Sequence, residues 1–300
     1  MSRLAVVFVV LASLAVPVPS LRAADGAGAG ESVLVAAGDV ALCDHDDDEA
    51  TAALLDQVPG TVAMLGDGAY ANGTADEYQR CYGPSWGRHK DRTSPAIGHR
   101  DILATSTADG YFGYYGAAAG DPTKGYYSYD LGAWHIIVLN SNASDTTTTA
   151  GMNQHNWLKA DLAASAKQCQ LAIFHQPRMF SRASGTASPS GVGAFWKDLY
   201  AKGADLIVNA HIRQYERFAP QNVGGTADPN GIREIIVGTG GEGLDATPTP
   251  TGMAANSEKL IAGEYGVLKL TLGDGTYSWQ FIPIAGQTGT DTDSGNGTCH

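Results

Sequence analysis

The chain has 300 residues, of which 43% are hydrophobic and 17% charged, and this composition excludes an intrinsically disordered protein. Its 38 glycines and 13 prolines follow no triplet period, which excludes collagen and indicates many turns. With 19 Lys and Arg against 31 Asp and Glu, the formal net charge is -12. Since so acidic a protein repels a phosphate backbone, we expect no nucleic-acid partner.

The first residues of the chain read as a targeting segment. Arg3 precedes an apolar run over residues 4–16, and a small-residue stretch that ends at Ala24 follows. This order is typical of a secretory signal peptide, although an uncleaved membrane anchor is the alternative. The sequence predicts a leader over 1–23, a single domain over 24–300, and a secreted protein with no membrane span after cleavage.

The four cysteines are consistent with an exported protein, because disulfides persist in oxidising compartments. Three pairings are possible. We favour Cys43–Cys81 together with Cys169–Cys299, since the second bond would hold an otherwise loose polar tail. Free buried thiols are the alternative.

Strands and helices alternate through the chain. Short apolar runs predict strands, and apolar residues at helical spacing predict helices. In chain order we predict strand 32–37, helix 49–58, strand 61–65, a short helix from the capping box at 74–77, a hairpin of 126–129 and 134–139, helix 154–166, strand 170–174, helix 192–201, strands 205–208 and 232–237, and a hairpin of 265–272 and 276–283. This order predicts an α/β sandwich with a mixed sheet.

Acidic and imidazole side chains follow five of the apolar runs. They are Asp39, Asp67, His99, His175 and His211. Ligands bind at the carboxyl ends of strands in open α/β sheets. A single Gly-Asp pair is more often a turn than a ligand, but carboxylates and imidazoles together suit Zn, Mn or Fe. The five residues at the ends of these predicted strands therefore together predict a metal site.

These motifs, in this order, resemble the signature of the calcineurin-like metallophosphoesterases. The matching stretches are Gly38-Asp39, Gly66-Asp67-Gly68-Ala69-Tyr70, Gly98-His99-Arg100-Asp101, His175-Gln176-Pro177, and Ala210-His211 through Arg217. Tyr70 and the late Tyr-Glu-Arg resemble the purple acid phosphatases, and the chain looks most like small secreted bacterial members. The resemblance covers about residues 32–284. It implies an α/β sandwich of two mixed β-sheets flanked by helices, and a hydrolase of phosphate esters.

The resemblance also implies two adjacent metal positions. The first would contain Asp39, Asp67 and Tyr70, and the second Asp67, His99, His175 and His211. In the family the two ions activate the attacking water and clamp the attacking and leaving oxygens, while a histidine protonates the leaving group.

The chain departs from the family pattern at positions that matter chemically. His99 replaces an asparagine, Arg100 replaces the catalytic histidine, Arg213 replaces the last histidine ligand, and Ala210 replaces a glycine. Arginine has no acceptor atom and stays protonated in proteins. Arg213 therefore cannot bind a metal, and Arg100 cannot act as a general acid.

We expect Arg213 to stand in for the first ion by pairing with Asp39 and Asp67, because two close carboxylates need positive charge. The second ligand set would suit one Zn, Mn or Fe ion if His99 can reach it. A metal-free state is the alternative, and two ions are the least favoured outcome. Arg100 would either bind substrate oxygens or only pair with Asp101 or another acid.

The predicted function is a secreted metallophosphoesterase-like hydrolase with a small, anionic or phosphorylated substrate. Its catalytic residues would be Arg100, Arg213, Asp39 and His175. The alternatives are a metal-poor enzyme with cyclase or lyase chemistry, and a non-catalytic anion binder. Only the aromatic segment 111–115 independently supports the metal-poor enzyme, and that segment either lines a pocket or packs as a loop.

Two further segments have simpler interpretations. The glycines at 238–241 could bind an anion, although no lysine follows them as in a P-loop. His135 lies within a predicted strand, so we expect it to be a core residue.

Overall fold

The structure is a computed structural model that describes residues 30–183, 191–248, 250–287 and 291–300. The predicted leader over 1–23 lies outside the described residues. The strands are β1 (Ser32–Ala37), β2 (Ala41–Leu42), β3 (Thr61–Leu65), β4 (Ala69–Tyr70), β5 (Thr93–Ala96), β6 (Tyr127–Leu131), β7 (Trp134–Val138), β8 (Cys169–Ile173), β9 (Leu206–Asn209), β10 (Tyr215–Phe218), β11 (Arg233–Val237), β12 (Ser257–Ile261), β13 (Gly266–Leu272), β14 (Thr276–Pro283) and β15 (Asp293–Thr298). The α-helices are α1 (Asp47–Gln57), α2 (Ala75–Glu77), α3 (Asp109–Tyr115), α4 (Thr149–Ala164) and α5 (Val192–Ala201).

Most of the strands form two mixed sheets. One sheet has the order β15-β14-β13-β1-β3-β5, and the other has the order β12-β10-β11-β9-β8-β7-β6. In the first, β1 is parallel to β3 and antiparallel to β13. In the second, β8 is parallel to both neighbours, while β10 is antiparallel to β11. The predicted α/β sandwich of two mixed sheets is confirmed.

Alternating side chains of the second sheet serve two different cores. Leu171 and Ile173 of β8 belong to the cluster that also contains the buried residues of β1 and β3. Ala172 and Phe174 point to the opposite face and pack with residues of α4 and α5. This is the period of two that a strand buried on both faces requires. The two sheets therefore pack together on one side, and α4 and α5 cover the second sheet on the other.

Both predicted disulfides are present, as Cys43–Cys81 and Cys169–Cys299. The C-terminal tail is not loose where the structure describes it, because Asp293–Thr298 forms β15 and pairs with β14. Within the described ranges, no helix combines the length and the apolar character that a bilayer span needs.

His135 on β7 lies between two carboxylates. Its Nδ1 is 2.8 Å from Asp130 Oδ1, and its Nε2 is 2.8 Å from Asp161 Oδ2. Lys167 also approaches Asp130, at 3.7 Å, and the Ser128 hydroxyl donates to Asp161 at 2.6 Å. The hydrogen bond to Asp161 raises the pKa of His135, although partial burial opposes this. The expected core histidine is thus buried but ionically paired.

The pKa of His135 is higher in the folded state than in the unfolded state. Its ion pairs therefore stabilise the fold fully at a pH below the ordinary histidine pKa, and this stabilisation is lost as the pH rises through the raised pKa. We expect His135→Gln to reduce the free energy of unfolding by roughly 1 to 2 kcal/mol at pH 5.5, and by less at pH 9. Urea unfolding of both proteins at each pH measures the difference. The control is His45→Gln, since the His45 side chain is 47% exposed. A loss that does not change with pH would contradict the prediction.

Candidate metal centre

The side chains predicted to form the site lie together at one edge of the sandwich. Asp39, Asp67 and His99 follow β1, β3 and β5 of the first sheet, and His175 and His211 follow β8 and β9 of the second. His175 groups with the other two histidines, and also with the two aspartates, through ligand atoms within 4.8 Å of one another. Strands of both sheets therefore supply the potential ligands.

Three of these residues have a left-handed backbone. The φ angles are +57° at Asp39, +55° at Asp67 and +69° at His211. Such conformations are uncommon for residues other than glycine, and surrounding contacts must hold them. The Asp39 carboxylate accepts the backbone N–H of His211 at 2.7 Å. The Asp67 carboxylate likewise accepts the backbone N–H of Arg100 at 2.7 Å. Each aspartate thus fixes the loop that carries another site residue.

The glycines of the motifs permit close approach. A Cβ at Gly98 would lie 2.1 Å from Asp67 Oδ1, and one at Gly66 would lie 2.8 Å from His175 Nδ1. Any side chain at either position would displace a potential ligand.

Potential ligand atoms of Asp67, His99 and His211 surround His175 Nε2. His99 Nδ1 lies 2.9 Å from Asp67 Oδ2 and 3.1 Å from His175 Nε2. His175 Nε2 lies 3.2 Å from Asp67 Oδ2 and 3.3 Å from His211 Nδ1. Ligands placed tetrahedrally at about 2.0–2.1 Å from one ion would be about 3.3 Å apart. The spacing of Asp67, His99 and His175 therefore suits a single metal ion, and His211 lies next to His175 as a potential fourth ligand.

His175 is already oriented for such a role. Its Nδ1 lies 3.0 Å from the carbonyl oxygen of Leu65, so this hydrogen bond leaves Nε2 facing the other donors. Burial opposes protonation, but the Asp67 carboxylate outweighs it and raises the pKa of His175 to about 9. Burial would also raise the pKa of Asp67, yet His175 and His99 hold it well below its usual range. Burial and the nearby His175 lower the pKa of His211 to about 3.

Two further oxygen-bearing side chains, those of Asp39 and Tyr70, lie beside Asp67. The Tyr70 hydroxyl is 2.5 Å from Asp39 Oδ1 and 3.1 Å from Asp67 Oδ2. Burial, opposed in part by His175, raises the pKa of Asp39 to about 7. Burial and the two carboxylates raise the pKa of Tyr70 far above its usual value.

Arg213 is not where we expected it. Its Nη1 donates to Glu242, and its Nε lies 3.4 Å from Asp245 Oδ1. The expected pairing of Arg213 with Asp39 and Asp67 is therefore wrong, because two carboxylates of the 238–245 loop hold the guanidinium first. Asp67 is instead paired with imidazoles, and Asp39 with the Tyr70 hydroxyl and the His211 N–H.

The Arg100 guanidinium lies near Tyr70. It lies 5.6 Å from the centroid of the Tyr70 ring, and its Nε is buried without a hydrogen-bond partner. No carboxylate of the described residues forms an ion pair with it. Asp101, the alternative partner, is fully buried and accepts the N–H groups of Asp67 and Gly98 at 3.0 and 2.7 Å.

The other segments with a candidate role belong mostly to the protein interior. The glycines at 238–241 pack against the first motif, since Gly240 N donates to Gly38 O at 3.0 Å. The aromatic segment is helix α3, not a loop. Tyr111 and Tyr115 are buried in the core, and Phe112 lines a cavity.

Sequence reasoning missed two acids around this site, Glu242 and Asp245, and it did not predict that Asp101 would accept backbone N–H groups. Asp101 follows the His99-Arg100 motif directly, but no feature of the sequence shows that it is buried. Glu242 and Asp245 lie in a glycine-rich loop, and only the fold brings them to Arg213.

The chain is similar in sequence to plant purple acid phosphatases. It is 32% identical to purple acid phosphatase 18 of Arabidopsis thaliana over 132 residues, which are 42% of this chain and 29% of the relative. It is 24% identical to purple acid phosphatase 15 of the same organism over 222 residues, 63% of this chain and 41% of the relative. The chain thus spans less than half the length of these curated relatives. No protein-family model matches it.

Two solved structures share the fold at low sequence identity. Purple acid phosphatase PPD1 from yellow lupin (Lupinus luteus) seeds has a TM-score of 0.68 at 17% identity, over 88% of this chain and 53% of that one. GAP50, the anchor in the inner membrane complex of Plasmodium, has a TM-score of 0.67 at 12% identity, over 88% of each chain. These likenesses concern the fold alone.

Proposed function

We propose that this chain, a calcineurin-like metallophosphoesterase related to the purple acid phosphatases, hydrolyses phosphate esters of small molecules with one bound transition-metal ion. Asp67, His99, His175 and His211 would hold a Zn, Mn or Fe ion. The observation that supports this proposal is the spacing of Asp67, His99 and His175, whose facing atoms are 2.9 to 3.2 Å apart, with His211 Nδ1 at 3.3 Å from His175 Nε2. The converging imidazoles favour this function over metal-poor cyclase or lyase chemistry.

A divalent ion would polarise the phosphoryl oxygen and lower the pKa of a water molecule. Arg100 would bind the other phosphoryl oxygens, because its guanidinium has no carboxylate partner among the described residues and lies beside the site. Tyr70 and Asp39 would orient the ester from the opposite side. Arg213 is held by Glu242 and Asp245. It would contribute positive charge at the rim of the site without contacting the ester.

The same residues limit the choice of ester. Arg100 cannot give a proton to the departing oxygen, so the leaving group must depart as an anion. We expect efficient hydrolysis only for esters whose leaving-group alcohols have a low pKa.

A metal count and a series of substrates test this function together. We expect the purified full chain to retain one ion after incubation with Zn, Mn or Fe(II), measured by elemental analysis. Across substituted phenyl phosphates and simple alkyl phosphates, kcat/KM will fall steeply as the pKa of the leaving group rises. A protein that retains no ion and hydrolyses no ester would refute the proposal. Equal rates for all leaving groups would contradict the role of Arg100.

We also propose that the protein is secreted, as a single domain over 24–300 after loss of the 1–23 leader. The signal-peptide pattern and the two disulfides support this proposal.

A further inference from the structure

Asp101 connects the loops of the potential metal ligands with the protein interior. It is fully buried, and its Oδ2 accepts the backbone N–H of Asp67 at 3.0 Å and that of Gly98 at 2.7 Å. The Asp67 carboxylate in turn accepts the backbone N–H of Arg100 at 2.7 Å. Two carboxylates therefore hold the loops after β3 and β5 together, and one of them, Asp67, belongs to the proposed ligand set.

Tyr78 donates to the other oxygen of the Asp101 carboxylate. Its hydroxyl lies 2.7 Å from Asp101 Oδ1, and its side chain is completely buried. A Cβ at Gly68, the residue after Asp67, would lie 2.8 Å from the same hydroxyl, so Tyr78 also packs against the loop that carries Asp67. One tyrosine thus supports both the acid and the loop that this acid holds.

Neighbouring rings and a disulfide restrain Tyr78 itself. Its ring stacks on that of Tyr114, with centroids 5.2 Å apart, and meets that of Tyr82 edge-on at 5.5 Å. The helical segment Tyr78–Tyr82 contains Cys81, whose disulfide with Cys43 joins this segment to the loop after β2. Because the ring is fixed on several sides, its hydroxyl can hold the Asp101 carboxylate in one orientation.

We infer that Tyr78 and Asp101 are positioning residues of the metal centre, which act through Asp67. The inference rests on the proposed metal-dependent function. Asp67 has a left-handed backbone with a φ of +55°, and the bond from its N–H to Asp101 helps to hold this uncommon conformation. Without the Tyr78 hydroxyl the Asp101 carboxylate can turn, and Asp67 Oδ2 then loses its fixed place 2.9 Å from His99 Nδ1. Loss of a group that orients a metal ligand typically weakens metal binding 10- to 100-fold.

Two tyrosine variants of the full chain test the inference. Tyr78→Phe removes the hydrogen bond to Asp101. Tyr111→Phe, the matched control, removes a buried hydrogen bond of 2.9 Å to the Pro95 carbonyl oxygen from the same group of packed rings. Urea unfolding shows that both variants are folded. We expect the Kd for Zn, measured by competition with a chelator, to rise about tenfold for Tyr78→Phe and less than about twofold for Tyr111→Phe.

Asp101→Ala gives a second measurement of the same effect. It releases the N–H groups of Asp67 and Gly98 together, so we expect the Kd for Zn to rise about a hundredfold. Should this variant fail to fold, the comparison of Tyr78→Phe with Tyr111→Phe decides the matter.

Amide hydrogen exchange of the metal-free chain separates this inference from the function on which it rests. We expect the N–H groups of Asp67 and Gly98 to exchange about tenfold faster in Tyr78→Phe than in wild type, and at the wild-type rate in Tyr111→Phe. If wild type binds no ion but this exchange pattern appears, the positioning role stands and the metal-dependent function fails. If Tyr78→Phe binds Zn as tightly as wild type does, Tyr78 is only a core residue, and the inference is refuted while the function stands.

Discussion

We expect Asp67→Asn to abolish binding of the proposed metal ion and to reduce kcat/KM for 4-nitrophenyl phosphate by at least about a hundredfold. Asp67 Oδ2 is the carboxylate oxygen that approaches both His99 Nδ1 and His175 Nε2, at 2.9 and 3.2 Å. An amide in its place removes the negative charge that a cation requires there. Changes to residues that only orient metal ligands cost 10- to 100-fold, so the loss of a ligand should cost more.

The substitution preserves the shape of the site, because asparagine can still accept the backbone N–H of Arg100 through Oδ1. Elemental analysis and steady-state kinetics measure the two losses, and urea unfolding shows whether the variant is folded. Asp91→Asn, at an exposed aspartate, is the matched control. A folded Asp67→Asn protein that keeps one ion per chain would refute the assigned metal position.

Arg100→His will increase turnover of alkyl phosphates about a hundredfold and will change turnover of 4-nitrophenyl phosphate much less. A histidine at this position can protonate an alkoxide as it leaves, and general acid catalysis contributes about 10²- to 10⁴-fold. A nitrophenolate departs without a proton and gains little. Arg100→Gln, which removes the guanidinium without adding an acid, is the control and should slow both substrates.

Adding His99→Asn and Arg213→His to this variant completes the ligand pattern of the purple acid phosphatases. We expect the triple variant to bind two ions per chain, measured by elemental analysis. Replacement of Arg213 also leaves Glu242 and Asp245 without their cation, so part of the gain will be offset by repulsion between these acids. No second ion and no gain on alkyl phosphates would mean that the family roles do not apply to these positions.

Local patterns were sufficient to predict the framework of the fold. The strands at 32–37 and 61–65 and the helix at 192–201 begin and end as predicted, because each is a compact apolar or periodic run with clear borders. Asp39, Asp67, His99, His175 and His211 lie near one another because each follows a strand that is parallel to its neighbour in its sheet. Strand β15 was missed, since its sequence of glycine and small polar residues has no strand signal. Its pairing with β14 is a tertiary effect.

The partner of Arg213 could not be predicted from the sequence. Two close carboxylates do require positive charge, but the imidazoles of His99 and His175, one from each sheet, meet that need for Asp67. Meanwhile Glu242 and Asp245 approach Arg213 from a loop whose position only the packed sheets define. Competition among several acids for one guanidinium depends on distances that the order of residues does not contain.

The potential ligands come from both halves of the sandwich, Asp67 and His99 from one sheet and His175 and His211 from the other. An ion at their centre would join the two halves at that edge, in addition to the apolar layer between them. Since an ion that binds only the folded chain favours folding in proportion to its concentration, resistance to heat would depend on the supply of metal. A shortage of the ion would then lower the thermal stability of the protein as well as its activity.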